Sequence, residues 1–161
     1  MLAWAIAIFA VAAVLGSVMW LKPSPAQQRQ TRMRLLARQY GLDVRLVTLP
    51  QTRRNRVRQE ATEQGVVYRL LRFDIVTPLP HDYLWVRENS EGVWEQVPEL
   101  ALTNAIQKVI DDVLVQMPRD VVAVELTPHG PGVYWRERGD EQTLKKLREL
   151  MEKLLQALST R

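Results

Sequence analysis

The sequence predicts an α+β chain: one N-terminal transmembrane helix followed by a two-layer domain of antiparallel or mixed sheet with helices on one face. Three observations carry this expectation. Residues 2–21, LAWAIAIFAVAAVLGSVMWL, hold no charged side chain. Several short runs rich in β-branched and aromatic residues are separated by Gly, Pro, Asn and Ser, the pattern of strands joined by turns. Two stretches, 98–117 and 140–158, place apolar residues three and four apart, the spacing of one helix face. The expected organisation is an anchor at 1–21, a linker and juxtamembrane amphipathic helix at 22–41, and an α+β domain at 42–161.

The anchor comes first. At 1.5 Å per residue, a helix of about 20 residues spans roughly 30 Å, the thickness of a bilayer's hydrocarbon core. A cleaved secretory signal would begin with basic residues and end in a small-residue cleavage site; this run has no Lys or Arg before it and ends in VMWLKP. Trp4 and Trp20 stand near its two ends, where indole rings favour the headgroup layer, and Lys22 follows at the interface. Ala12 with Gly16, and Ala13 with Ser17, give a small-xxx-small spacing that admits a second helix closely.

Charge sets the expected topology. After the apolar run come Lys22, Arg29, Arg32, Arg34 and Arg38, with no acidic residue before Asp43. Cytoplasmic flanks of membrane helices carry such an excess. The expectation is therefore a single-pass inner-membrane protein with its N-terminus outside and its C-terminal domain in the cytoplasm. The formal net charge of +4 hides an asymmetry: 22–72 holds 12 basic and 3 acidic residues, and 73–161 holds 10 basic and 15 acidic.

Along the domain, Pro23 and Pro25 break the anchor, and Met33, Leu36, Ala37 and Tyr40 form an apolar stripe closed by Gly41. LDVRLVTL alternates Leu42, Val44 and Leu46 against Asp43 and Arg45, which predicts a half-buried strand. An arginine-rich connector follows, then a strand over 66–76. Tyr83 to Arg87 and Val93 to Val97 flank turn residues and predict a hairpin. A helix is expected from Pro98, a favourable first-turn proline, to Met117. Strands at 121–126 and 133–136 flank TPHGPG, and Leu144, Leu147, Met151, Leu154 and Leu158 line a last helix opened by Asp140 and Glu141.

Catalytic motifs are not found. Cysteine is absent, which removes disulfides, zinc thiolates and thiol nucleophiles. His81 and His129, the two histidines, lie in proline-rich turns, so no metal or cofactor is expected. None of the four serines, Ser17, Ser24, Ser90 and Ser159, stands in a nucleophile elbow. No glycine-rich nucleotide cradle appears. Asp111 and Asp112 are consecutive on a helix, about 100° apart, and do not converge. The chain is expected not to be an enzyme.

Two stretches carry the expected contacts. Arg53, Arg54, Arg56 and Arg58 fall within six positions of TRRNRVRQE, a candidate surface for lipid headgroups or phosphate. Without interleaved aromatics the run does not fit nucleic acid. In GPGVYWRERGDE, Tyr134, Trp135, Arg136 and Arg138 combine residue types enriched at interaction hot spots; alternation on a strand would turn one of the two aromatics inward.

The order apolar helix, LKPSPAQQRQTRMR, then a small domain resembles the YajC-type accessory subunits of the bacterial preprotein translocase over residues 5–38. Beyond Arg38 the chain departs from that family, having no counterpart of its short Gly-rich β-domain. The resemblance implies an accessory role at a membrane complex, such as protein translocation, and transfers no site residues. The sequence thus leads to a non-catalytic, membrane-anchored docking domain, with anionic-lipid binding through Arg53–Arg58 as the alternative.

Overall fold

The computed structural model describes Trp4, Phe9 and residues 24–72, 79–88 and 92–159. The expected anchor, with Trp20 and Lys22, lies otherwise outside the described residues; Trp4 and Phe9 are helical and exposed. Among the described residues, no helix is long and apolar enough to cross a membrane. The chain falls into two units, Met1–Arg32 and Met33–Arg161.

Helix α1 (Pro25–Gln39) begins in a reciprocal cap: Ser24 N–H donates to Gln27 Oε1 at 2.9 Å, and Gln27 N–H donates to Ser24 Oγ at 3.2 Å. Two amide donors that a helix start leaves unpaired are satisfied together, with Pro25 at the first position, where it needs no donor. At the other end Gly41 takes a φ of +76°, and Leu42 N–H donates to Ala37 O at 3.0 Å, a glycine-terminated stop.

The domain is α+β, built on six antiparallel strands: β1 (Asp43–Thr48), β2 (Gln64–Arg69), β3 (Tyr83–Arg87), β4 (Trp94–Gln96), β5 (Val121–Thr127) and β6 (Gly130–Trp135), in the order β1-β2-β6-β5-β3-β4. The expected hairpin of β3 with β4 is formed, with Arg87 opposite Trp94. So is the hairpin of β5 with β6, with Thr127 opposite Gly130. Gly130 has φ +134°, and a Cβ there would stand 2.2 Å from Leu70 O, so glycine is required by both backbone angle and space.

One sheet face carries Val66, Tyr68, Trp85, Val124, Val133 and Trp135. These join Met33 and Ala37 of α1, Ile110 and Val113 of α3 (Asn104–Gln116), and the stripe of α4 (Glu141–Ser159) in one core. Every apolar residue expected on the α4 stripe is buried, and Leu150 and Leu155 are buried with them. The helix starts on Asp140, whose Oδ1 accepts from Thr143 N–H at 2.9 Å and from Thr143 Oγ1 at 2.8 Å.

Three local expectations are corrected. The helix placed from Pro98 starts at Asn104. The preceding segment stays extended because Leu100 O accepts from Gln96 Nε2 (2.9 Å) and Ala101 O accepts from Tyr83 OH (3.4 Å), binding it to the sheet. Leu46, expected inward, is 71 % exposed: β1 is an edge strand, flanked by β2 on one side, and its face is not covered at Leu46. The strand expected over 66–76 ends at Arg69, while 73–78 lie outside the described residues.

On the other face, the connector from Leu49 to Glu63 runs as a strap. It leaves β1 at one edge of the sheet, yet Arg53 N–H donates to Glu95 Oε2 of β4, the opposite edge, at 3.0 Å. The strap closes on itself through Leu49 N–H to Glu63 O (2.8 Å) and Gln51 Nε2 to Glu60 O (3.0 Å). Leu49 is buried against Gly65.

Candidate functional site

The arginine run, expected as an irregular connector, folds at its centre into the short helix α2 (Arg53–Val57). Thr52, itself buried, caps it: its Oγ1 accepts from Asn55 N–H at 3.2 Å, and its carbonyl accepts from Arg56 N–H at 3.1 Å. The cap and the Glu95 bond fix the helix on the strap. They leave Arg53, Arg54, Arg56 and Arg58 all exposed.

Of these four, Arg54 lies 3.9 Å from Glu88 Oε1, a distant and exposed pair of the kind that contributes about 0 to 1 kcal/mol. Among the described residues, the side chains of Arg53, Arg56 and Arg58 form no ion pair. Between Arg56 and Arg58, Val57 is 76 % exposed. The helix thus presents three unpaired guanidinium groups around one apolar side chain. Such a group meets phosphate oxygens through a planar fork of donors.

The Tyr134–Arg138 stretch is arranged differently. Trp135 is fully buried, its Nε1 donates to Asp120 Oδ2, and its ring meets Tyr68 at 5.5 Å between centroids. Tyr134 points to the other face and donates its hydroxyl to Glu125 Oε2 at 2.7 Å. Burial first, and then that hydrogen bond, push the Tyr134 hydroxyl up to about 12. Arg136 is held by Glu63, with contacts of 2.8 to 3.0 Å, and the hydrogen bond from Arg136 holds the Glu63 carboxyl below its usual range. Arg138 is exposed at its side chain, while its N–H donates to Asp120 Oδ2 at 3.1 Å. Three of these four candidate partner-binding side chains therefore spend their polar atoms inside the fold.

Two polar networks escaped the sequence reading. Glu137, 2 % exposed and with φ +56°, accepts from Arg34 Nε (2.9 Å), Arg34 Nη2 (2.5 Å) and Tyr68 OH (2.5 Å). The Glu137 hydrogen bond raises Arg34 above its ordinary value, and burial raises Tyr68. On the opposite face Arg69 grips Glu125 through Nε, with a second contact of 3.3 Å from Nη2. Glu125 and Glu137 thus stand in separate networks. Each is bound by an arginine and a tyrosine.

Beneath the strap a cavity of about 330 Å³ is lined by Arg87, Arg119 and Arg136 and by Glu60, Glu63 and Glu88. Burial lowers Arg87. Its guanidinium is committed to the carbonyls of Val121 (3.0 Å), Met117 (3.1 Å) and Pro118 (3.0 Å). Among the described residues, no group of three or more His, Asp or Glu side chains is placed to hold a metal ion. No protein-family model, no curated protein and no solved structure matches the chain.

Proposed function

We propose that the protein is a single-pass inner-membrane protein, N-terminus outside, whose cytoplasmic α+β domain is a non-catalytic accessory module for a membrane complex, and that α2 holds this domain against anionic lipid. The observation that supports the reading is α2 with its C-cap residue Arg58: four exposed arginines, three of them unpaired, around an exposed valine on a fixed strap. The uncharged run at 2–21 supplies the anchor, and the arginines after it supply the orientation. Near an anionic leaflet each arginine adds on the order of 1 kcal/mol of attraction, screened within a Debye length. The resemblance to YajC-type subunits directs the docking half of the reading toward a complex that handles preproteins.

The core draws on residues from Met33 onward, so a fragment spanning 24–161 retains it and is suited to vesicle sedimentation. Binding to phosphatidylglycerol vesicles that weakens with salt, and is lost when Arg53, Arg54, Arg56 and Arg58 become Gln, is the expected result. Equal sedimentation of that variant, or indifference to salt, rejects the lipid contact. For the docking half, purification of the full chain in mild detergent should recover a stoichiometric membrane partner; none would reject it.

A further inference from the structure

On the helix-bearing side of the β4 edge, opposite α2, lies an open groove of about 650 Å³ between α3, β3–β4 and the extended segment before α3. Its apolar lining includes Trp85, Trp94, Leu100, Leu114 and Val115. Val115 is 87 % exposed, in the last turn of a helix that buries Ile110, Val113 and Leu114. Among the described residues, the charged side chains of the lining are Glu99 and Asp111, both acidic.

Trp94 forms one wall. Its ring carries the Arg87 guanidinium 4.3 Å from the centroid on one side, and its Nε1–H is buried without an acceptor. An unmet buried donor costs about 1 to 3 kcal/mol and calls for an explanation. Tryptophan lining a concave apolar patch with a charged rim is a residue type enriched at interaction hot spots.

We infer that this groove docks a basic, apolar-containing peptide segment of a partner, of the kind found on the cytoplasmic flank of another membrane helix. Charge complementarity selects the occupant: Glu99 and Asp111 meet its Lys or Arg side chains, while its apolar residues cover Val115 and the two tryptophans. A main-chain carbonyl of the segment meets Trp94 Nε1–H as the indole tilts from its Arg87 stack. The inference rests on the docking reading, because cytoplasmic flanks of membrane helices are enriched in Lys and Arg.

The probe is a short Leu/Lys peptide, with a Leu/Glu peptide of equal length as its counterpart, titrated into isotopically labelled 24–161 fragment. The Trp94 indole N–H resonance, assigned by its loss in Trp94→Phe, should shift saturably with Leu/Lys and stay still with Leu/Glu. Val115→Glu and Asp111→Lys, both at exposed positions that leave the core intact, should each weaken the Leu/Lys peptide by about tenfold. Equal binding of both peptides, or a saturable shift that spares Trp94, overturns the inference. Concentration-dependent dimerisation abolished by Val115→Glu also overturns it, in favour of a second copy as occupant. The variant with Gln at the four α2 arginines should bind the peptide normally. Peptide binding and vesicle binding therefore fail separately.

Discussion

Glu137→Ala is expected to destabilise the domain by about 3 kcal/mol. The substitution strips two Arg34 contacts and one Tyr68 contact, at 2.9, 2.5 and 2.5 Å, from a carboxylate that is 2 % exposed. Removing one partner of a buried pair typically costs about 3 to 5 kcal/mol. The lower end applies because the Arg34 side chain keeps 31 % of its exposure and regains water once released. Backbone strain refines the expectation: Glu137 holds φ +56°, a conformation that costs a non-glycine residue about 1 kcal/mol or more and glycine almost nothing. Glu137→Gly should therefore be less damaging than Glu137→Ala, against the usual order. Tyr68→Phe alone should cost about 1.5 to 3 kcal/mol, as for a hydrogen bond to a charged group, and much less in the Glu137→Ala background, because its acceptor is already gone. Urea unfolding of 24–161 followed by far-ultraviolet circular dichroism measures all three. A loss below about 1 kcal/mol for Glu137→Ala, or strict additivity with Tyr68→Phe, would refute the account of a shared acceptor.

Gly130→Ala should destabilise by about 2 to 3 kcal/mol, since its Cβ would lie 2.2 Å from Leu70 O at φ +134°; a change under about 0.5 kcal/mol in urea unfolding would contradict the required close approach. In vesicle binding, Arg56→Gln and Arg58→Gln should each weaken affinity about fivefold, at about 1 kcal/mol apiece, and Arg54→Gln less, because Glu88 already stands 3.9 Å from it. Equal effects at all three positions would show that the Glu88 pair is immaterial. Tyr134 is raised to about 12 by burial, above the value near 10 of an unfolded tyrosine. Its stabilising share is whole below pH 10 and declines as pH rises from 10 through 12. Tyr134→Phe should flatten that decline in the urea midpoint; an unchanged slope would contradict it.

The sequence made legible what is periodic and local. The α4 stripe, the β5–β6 hairpin and the stop at Gly41 follow from spacing and turn chemistry, and the alternation of Tyr134 and Trp135 was readable as one inward and one outward ring. Pro98 misled because a first-turn proline and a proline closing a strand look alike until Gln96 and Tyr83 are seen holding the carbonyls that follow. Leu46 misled because alternation reports a strand's two faces and not whether a face is covered at the sheet's edge. The polar networks were illegible for another reason: Arg34 and Glu137 are 103 residues apart, Tyr68 and Glu137 are 69 apart, and Arg69 and Glu125 are 56 apart. Nothing local marks such residues as partners.

The charge asymmetry of the sequence takes on a spatial meaning through the strap. Its basic residues originate at the β1 edge, but Arg53 and Arg54 reach Glu95 and Glu88 beside the β4 edge, so opposite charges meet across the sheet. Those contacts use one amide and one distant ion pair, which fixes α2 without neutralising its outer guanidinium groups. Trp94 and Glu95 are neighbours on β4, and their side chains point to opposite faces: Trp94 walls the groove against α3, and Glu95 anchors α2. A lipid surface held by α2 and a peptide held beside α3 therefore occupy different sides of one short edge strand. Glu95→Ala, which removes the acceptor of Arg53 N–H, probes whether the two are coupled. If α2 is fixed by the Glu95 bond, losing that acceptor should loosen α2 and weaken vesicle binding while leaving the Trp94 resonance and peptide affinity unchanged. A peptide affinity that falls together with vesicle binding would mean that the two faces act as one site.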